Sequence, residues 1–101
     1  MYFVAGVNKN SSRCFGYFKK LEDAIKSVKC NNTDINEMGY YPLAVIEYKE
    51  EGFYPIGATY SDKDGYITLF ERLWFKYNDV SGEYEPIEEP EEFKIWGNLT
   101  L

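Results

Sequence analysis

The side chains that most often act as nucleophiles, proton carriers or metal ligands are scarce in this sequence. Its 101 residues include no histidine and only two cysteines, Cys14 and Cys30. Without histidine, the Ser-His-Asp and Cys-His catalytic arrangements and every histidine-containing metal site are excluded. Two cysteines are too few for a four-cysteine zinc site or a disulfide framework. We therefore expect reduced, buried thiols of an intracellular protein.

Two carboxylates, Asp34 and Glu37, have a spacing that can place both on one side of a helical turn. Such a pair could serve a hydrolase or bind a cation. The same residues also suit a helix cap, in which Thr33 or Asp34 accepts backbone N–H groups and Glu37 completes a capping box. We prefer the cap.

The other metal- and phosphate-binding patterns are incomplete. Residues 62–65 (Asp-Lys-Asp-Gly) begin like a calcium loop but lack its later ligands, so they predict a turn. Gly6, Gly16 and Gly39 do not form a dinucleotide-binding or phosphate-loop pattern. We therefore predict no catalytic residue, no metal site and no cofactor, in a protein that binds rather than catalyses.

The most suggestive positive feature is the alternation of Arg72, Trp74 and Lys76 on a predicted strand. Two cations beside a large flat ring can stack a base or sugar and pair with a phosphate. The alternative, which strand aromatics favour, is that Trp74 packs in the core and the cations are ordinary surface residues. The candidate ligand-binding residues are Arg13, Tyr17, Tyr40, Tyr41, Arg72, Trp74 and Lys76.

Residues 85–92 (Glu-Pro-Ile-Glu-Glu-Pro-Glu-Glu) form the strongest charge block. Such a block is usually a solvated connector, but it can also meet a basic protein surface or imitate nucleic-acid phosphates. The net charge of −6 disfavours binding along a nucleic-acid duplex, which needs many lysines and arginines.

The chain is expected to be one α+β domain, residues 1–101, with one helix packed on a face of a mostly antiparallel sheet. Leu21, Ala24, Ile25 and Val28 recur at helical spacing and predict a helix of about three turns. The predicted order is β-β-α-β-β-β-β, and a helical turn is expected from Pro90. The predicted strands are residues 2–7, 13–18, 40–48, 53–60, 66–77 and 83–87.

Targeting signals are not expected in this sequence. Residues 1–7 lack the charged start and long apolar run of a signal peptide. No stretch approaches the roughly 18 apolar residues of a membrane span. The protein is therefore predicted to be cytoplasmic, with no membrane partner.

Several short stretches together resemble small, largely uncharacterised proteins encoded by phages and prophages of Gram-positive bacteria. They are Arg13-Cys14-Phe15-Gly16-Tyr17-Phe18, Glu22-Asp23-Ala24, Asp34, Glu37, residues 41–47, Trp74-Phe75-Lys76, Tyr84 and Ile87-Glu88-Glu89-Pro90. The resemblance implies a counter-defence protein in the host cytoplasm. Such proteins sequester nucleotide immune signals between subunits or block a defence protein directly.

Two functional hypotheses follow. In the first, the chain sequesters a small anionic, nucleotide-like signal in a pocket completed across a homo-oligomer interface, because 101 residues can hardly enclose a nucleotide alone. In the second, it is an acidic protein–protein inhibitor of a host defence protein, which binds through the glutamate run and exposed tyrosines.

Overall fold

The computed structural model describes residues 1–31, 34–49, 59–62, 65–68, 72–93 and 99–100. Its elements are strands β1 (Tyr2–Val7) and β2 (Ser12–Phe18), helix α1 (Leu21–Lys29), a 3₁₀ turn (Glu37–Gly39), strands β3 (Leu43–Tyr48), β4 (Thr59–Asp62), β5 (Gly65–Thr68), β6 (Arg72–Asn78) and β7 (Glu83–Ile87), and a second 3₁₀ turn (Glu91–Phe93).

Five strands form an antiparallel sheet in the order β2-β1-β3-β6-β7. Together with the helix packed against it, this sheet confirms the predicted α+β class. Side chains along each strand alternate between two faces. Val4 and Ile46 lie on the face that α1 covers, the helix face, whereas Ala5 and Val45 lie on the opposite face, the tail face.

Helix α1 forms where the apolar spacing predicts it. Glu22 and Asp23 lie in its first turn and Lys26 and Lys29 in its last, which complements the helix dipole at both ends. The helix packs on a core of fully or nearly fully buried side chains. This core consists of Val4, Ala24, Val28, Ile35, Tyr41, Ala44, Ile46, Phe75 and Tyr84.

At Gly6, the loop before β3 packs closely against the sheet. A Cβ atom at this position would lie 2.8 Å from Cγ of Tyr41, closer than side-chain carbons approach one another. Tyr84 holds the same loop from β7, because its hydroxyl donates a hydrogen bond to the Tyr41 carbonyl over 2.6 Å. Burial raises the pKa of Tyr84 to about 12.

The tail face is covered by the end of the chain. Phe93 and Leu99 pack with Ala5, Val45 and Trp74 in a second cluster of buried residues. A helical turn after Pro90 is therefore confirmed, and its Phe93 is a core residue. The sheet thus has a core on both faces.

Two predicted strands are wrong in extent. The strand predicted at residues 40–48 begins only at Leu43. Residues 66–77, expected as one strand, contain parts of two strands in different sheets, because β5 pairs with β4 in a separate hairpin and β6 pairs with β3 and β7. The alternating pattern of the sequence runs through residues 66–77, so it does not reveal that the two strands belong to different sheets. The predicted strand at 53–60 is described only from Thr59.

Candidate functional site

Trp74, the ring of the predicted ligand-binding face, lies in the tail-face core. It is 3% exposed, and its ring stacks on Phe93 with the centroids 5.2 Å apart. Its indole Nε1 is buried and has no hydrogen-bond partner among the described residues. The structure therefore agrees with the alternative in which Trp74 packs in the core.

Arg72 is held inside the protein beside Trp74. Its side chain is 1% exposed, and its Nε donates to Oε2 of Glu47 over 2.9 Å. Its Nη1 donates to the Phe93 carbonyl over 3.3 Å and lies 3.9 Å from Oε1 of Glu89. The guanidinium therefore ties β3 and β6 to the segment that covers the tail face.

Glu47 is the centre of this interior network. Its fully buried carboxylate accepts the backbone N–H groups of Leu99 and Thr100 and the Thr100 hydroxyl, with distances of 2.7–3.2 Å. Lys49 Nζ lies 3.5 Å from the same carboxylate and also donates to the Thr100 hydroxyl. Burial lowers the pKa of Lys49 from its ordinary value, and the Glu47 carboxylate offsets part of this change.

The expectation that Arg72, Trp74 and Lys76 form an open cation–aromatic face is therefore wrong for two of the three residues. All three alternate on one side of β6 as predicted, but the chain's own end covers the first two. Lys76 is exposed and lies opposite Glu85 of β7 in the sheet register. Sequence reasoning also missed Glu47, although a charged residue in an apolar strand was a signal for an interior ion pair.

Three of the four other candidates meet at one corner of the helix face. The Arg13 guanidinium carbon lies 5.2 Å from the ring centroid of Phe15, which makes an edge contact with Tyr41. Tyr41 in turn contacts the ring of Tyr40, with centroids 4.7 Å apart. Tyr17 is not part of this corner, because it pairs with Phe3 on the tail face.

The loop at this corner is capped by asparagines rather than by Asp34 and Glu37. Asn31 Oδ1 accepts the backbone N–H of Asn36, and Asn36 Oδ1 accepts that of Gly39. Glu37 instead pairs with Arg13 Nη1 over 3.0 Å. The predicted capping roles of Asp34 and Glu37 are therefore wrong, because asparagine side chains accept the backbone N–H groups of this loop and Glu37 forms an ion pair instead. Thr33 lies outside the described residues.

The left-handed backbone of this loop is unusual. Asn31, Asp34, Glu37 and Met38 all have φ between 46° and 60°. Glutamate and methionine lack the short polar side chain with which asparagine and aspartate can stabilise this conformation, which costs roughly 1–2 kcal/mol per residue. Met38 is also fully exposed, so the strain is not offset by burial of its side chain.

The two cysteines also differ from expectation. Cys14 and Cys30 are free thiols, as predicted, but both are exposed rather than buried. Cys14 lies on β2, which is an outer strand of the sheet, and Cys30 follows the last turn of α1. Neither position has a second layer of structure over it among the described residues.

The chain's negative charge is concentrated on strand β7 and the segments that flank it. Residues 77–93 contain seven acidic residues and no lysine or arginine, so they carry −7 and the rest of the chain carries +1 of the net −6. Strand β7 is the outer strand at this end of the sheet, and all seven side chains except Glu89 are exposed. We call this the acidic edge: Asp79, Glu83, Glu85, Glu88, Glu89, Glu91 and Glu92.

A groove lies where the acidic edge approaches the helix. It has a volume of about 480 Å³, and its walls include Ile25 and Lys29 of α1, Leu73 of β6, and Ile87 and Glu88 at the end of β7. Leu73 is 41% and Ile87 37% exposed, so both apolar side chains are open to solvent.

In the described part of the chain, no group of three or more aspartate, glutamate or cysteine side chains is arranged to bind a metal ion. The same residues include no helix with the length and apolar character needed to cross a membrane.

Comparisons with protein-family models, curated proteins and solved structures gave no significant match. The likeness to phage and prophage proteins therefore stays a prediction from the sequence.

Proposed function

We propose that this protein is a non-enzymatic binding protein whose acidic edge docks on a basic surface of a partner protein. The observation that carries the proposal is the placement of charge. The whole net negative charge belongs to 17 consecutive residues, which include the outer strand β7, the turn before it and the segment after it. A field of one sign on one edge attracts a complementary surface and orients it during encounter.

The geometry of β7 supports docking of side chains rather than addition of a strand. Pro86 is the fourth of the five residues of β7 and has no N–H to donate to a neighbouring strand. Glu83 and Glu85 alternate with buried Tyr84, so both carboxylates stand on the same side of the strand. A partner would therefore be held by lysines and arginines reaching these carboxylates.

In the described part of the chain, two cations of strand β6 lie beside the acidic edge. Arg72 approaches Glu89, but its short contact is with the buried Glu47. Lys76 lies opposite Glu85 in the register, and Glu83 lies opposite the uncharged Asn78. The partner class implied by the phage resemblance is a host defence protein, which the chain would inhibit by covering its basic surface.

Affinity capture with matched variants tests this proposal. The edge variant carries Glu83→Gln, Glu88→Gln and Glu92→Gln, and the control variant carries Glu22→Gln, Asp23→Asn and Asp34→Asn. Both variants lose three negative charges, but only the first loses them from the acidic edge.

Wild-type protein, edge variant and control variant are immobilised and exposed to lysate of a Gram-positive bacterium, and bound proteins are quantified by mass spectrometry. We expect basic proteins that the wild type and the control retain and that the edge variant releases. Equal retention by all three proteins would contradict the proposal, as would no specific retention by any of them.

Sequestration of a small nucleotide-like ligand is the second candidate function, and one observation favours it. The Arg13 side chain is 63% exposed and lies at the same corner as the exposed ring of Tyr40, so a cation and an aromatic ring are both open to solvent there. Enclosure of a nucleotide would need a second copy of the chain, and homo-oligomerisation stays a prediction that the native mass in solution measures.

Calorimetry with cyclic nucleotides and ADP-ribose derivatives tests this second candidate. Binding that Arg13→Ala abolishes and Lys76→Ala leaves intact would support it. If a folded sample gives no heat of binding with any of these ligands, the second candidate function is excluded.

A further inference from the structure

The groove beside Leu73 is a mainly apolar opening at the end of strand β7. Strand β7 pairs with β6 as far as Ile87, which lies opposite Trp74. Leu73 is one residue beyond this last pair, and it is 41% exposed. A smaller cavity of about 110 Å³ continues from Leu73 along Leu21 and Tyr48. The apolar surface therefore extends under the first turn of α1.

The two walls of this groove differ in charge. Lys29 stands on the helix side, whereas Glu88 and Glu89 stand on the strand side, where the buried Arg72 lies 3.9 Å from Glu89. Glu88 and Glu89 also belong to the acidic edge, so the groove and the edge form one continuous surface. A segment that follows the acidic edge toward the helix meets carboxylates first and the apolar groove next.

We propose that this groove receives an apolar side chain of the basic partner, from a segment in which that side chain is flanked by lysine or arginine. The inference rests on the proposed function, which it deepens by naming the recognised chemistry. Charge complementarity selects this occupant, because the carboxylates beside the groove match cations that flank an apolar residue. A partner held only by exposed charges would bind weakly, whereas a buried anchor adds affinity.

The expected gain in affinity depends on how much apolar side-chain area of the partner the groove, of about 480 Å³, can remove from water. Burial of a leucine-sized side chain raises affinity by roughly tenfold to a hundredfold. The flanking cations add a smaller, salt-sensitive contribution.

The test uses two synthetic peptides, each with four lysine or arginine residues around one central residue. The central residue is leucine in one peptide and serine in the other, and binding is measured by fluorescence anisotropy. The groove variants are Leu73→Asn and Ile87→Asn, both at partly exposed positions that tolerate a polar residue. Met38→Asn, at a fully exposed apolar position on the strained loop, is the matched control.

We expect the wild type and the control to bind the leucine peptide at least tenfold more tightly than the serine peptide. Each groove variant should reduce this ratio to about one while still binding both peptides. Equal binding of the two peptides by the wild type would overturn the groove inference and leave the acidic edge intact. No binding of either peptide would count against the proposed function itself.

Two further outcomes would also overturn the inference. If both groove variants keep the full preference for leucine, the anchor residue binds elsewhere. If the wild type is a dimer in sedimentation and Leu73→Asn is a monomer, the groove is occupied by a second copy of this chain.

Discussion

Replacement of Glu47 by glutamine tests whether the interior charge network holds the end of the chain on the sheet. Glutamine has nearly the same shape, but it carries no charge and presents an NH₂ group in place of one oxygen. Both Glu47 oxygens face donors, namely Arg72 Nε on one side and the Thr100 hydroxyl on the other. The new NH₂ group therefore meets an N–H or O–H donor whichever way it points.

The expected loss of stability is large because the site is dry. Glu47 and Arg72 have side chains that are 0% and 1% exposed. Removing one partner of a buried ion pair costs about 3–5 kcal/mol, since the other charge remains buried without compensation. A domain of this size has a total stability of roughly 5–15 kcal/mol, so Glu47→Gln removes a substantial part of it.

Urea unfolding followed by tryptophan fluorescence measures this loss. With a slope of about 1–3 kcal/mol per molar urea, a loss of about 3 kcal/mol lowers the midpoint by roughly 1–3 M. Glu88→Gln, the same substitution at an exposed position, is the control and should change stability by less than about 0.5 kcal/mol. Equal midpoints for the two variants would refute the interior network and would return Arg72 to the candidate ligand-binding residues.

Three further predictions concern the core, the pH dependence and the thiols. Gly6→Ala places a Cβ atom against the ring of Tyr41 and should destabilise the protein by about 1–3 kcal/mol in urea unfolding; an unchanged midpoint would contradict this contact. Tyr84 has a folded pKa near 12 against an unfolded value of about 10, so its stabilising contribution is complete below pH 10 and lost between about pH 10 and 12. Urea midpoints should fall less steeply over that range in Tyr84→Phe than in the wild type, and equal slopes would exclude this origin. Cys14 and Cys30 should both react with a thiol reagent in the native protein, whereas protection of either until unfolding would contradict its exposed position.

Local features of the fold could be predicted well from the sequence. The helix follows from the spacing of Ala24 and Val28, and strand β3 follows from alternation around Val45. These patterns depend on residues that are close in sequence, and the sequence displays them directly. Faces could also be assigned correctly, since Arg72, Trp74 and Lys76 do lie on one side of β6.

Whether a face of the sheet is open to solvent or covered depends on residues that are distant in sequence. Local sequence patterns could not predict it. Trp74 is buried because Phe93 stacks on it, and Arg72 is paired because Glu47 lies opposite it in the register. Both contacts join parts of the chain that local pattern does not connect. A cation–aromatic pattern on a strand is therefore compatible with an open pocket or with a core, and the covering segment decides between them.

The candidate site in the structure differs from the predicted one because it, too, depends on residues that are distant in sequence. The glutamate run was visible in the sequence as a charge block that could be a connector or a binding patch. The position of this run at the end of an outer strand, next to the groove at Leu73, depends on the sheet order and became visible only in the structure. The exposure of Cys14 likewise follows from the outer position of β2.

The most direct test of the acidic edge is the affinity of a captured basic partner for the wild type, the edge variant and the control variant at two ionic strengths. At low salt, the edge variant should bind roughly 3- to 100-fold more weakly than the other two, because three exposed charge pairs of about 0.2–1 kcal/mol each are lost. At about 1 M salt, where the screening length falls to roughly 3 Å, this difference should nearly vanish. Equal affinities for the edge and control variants at low salt would contradict the account.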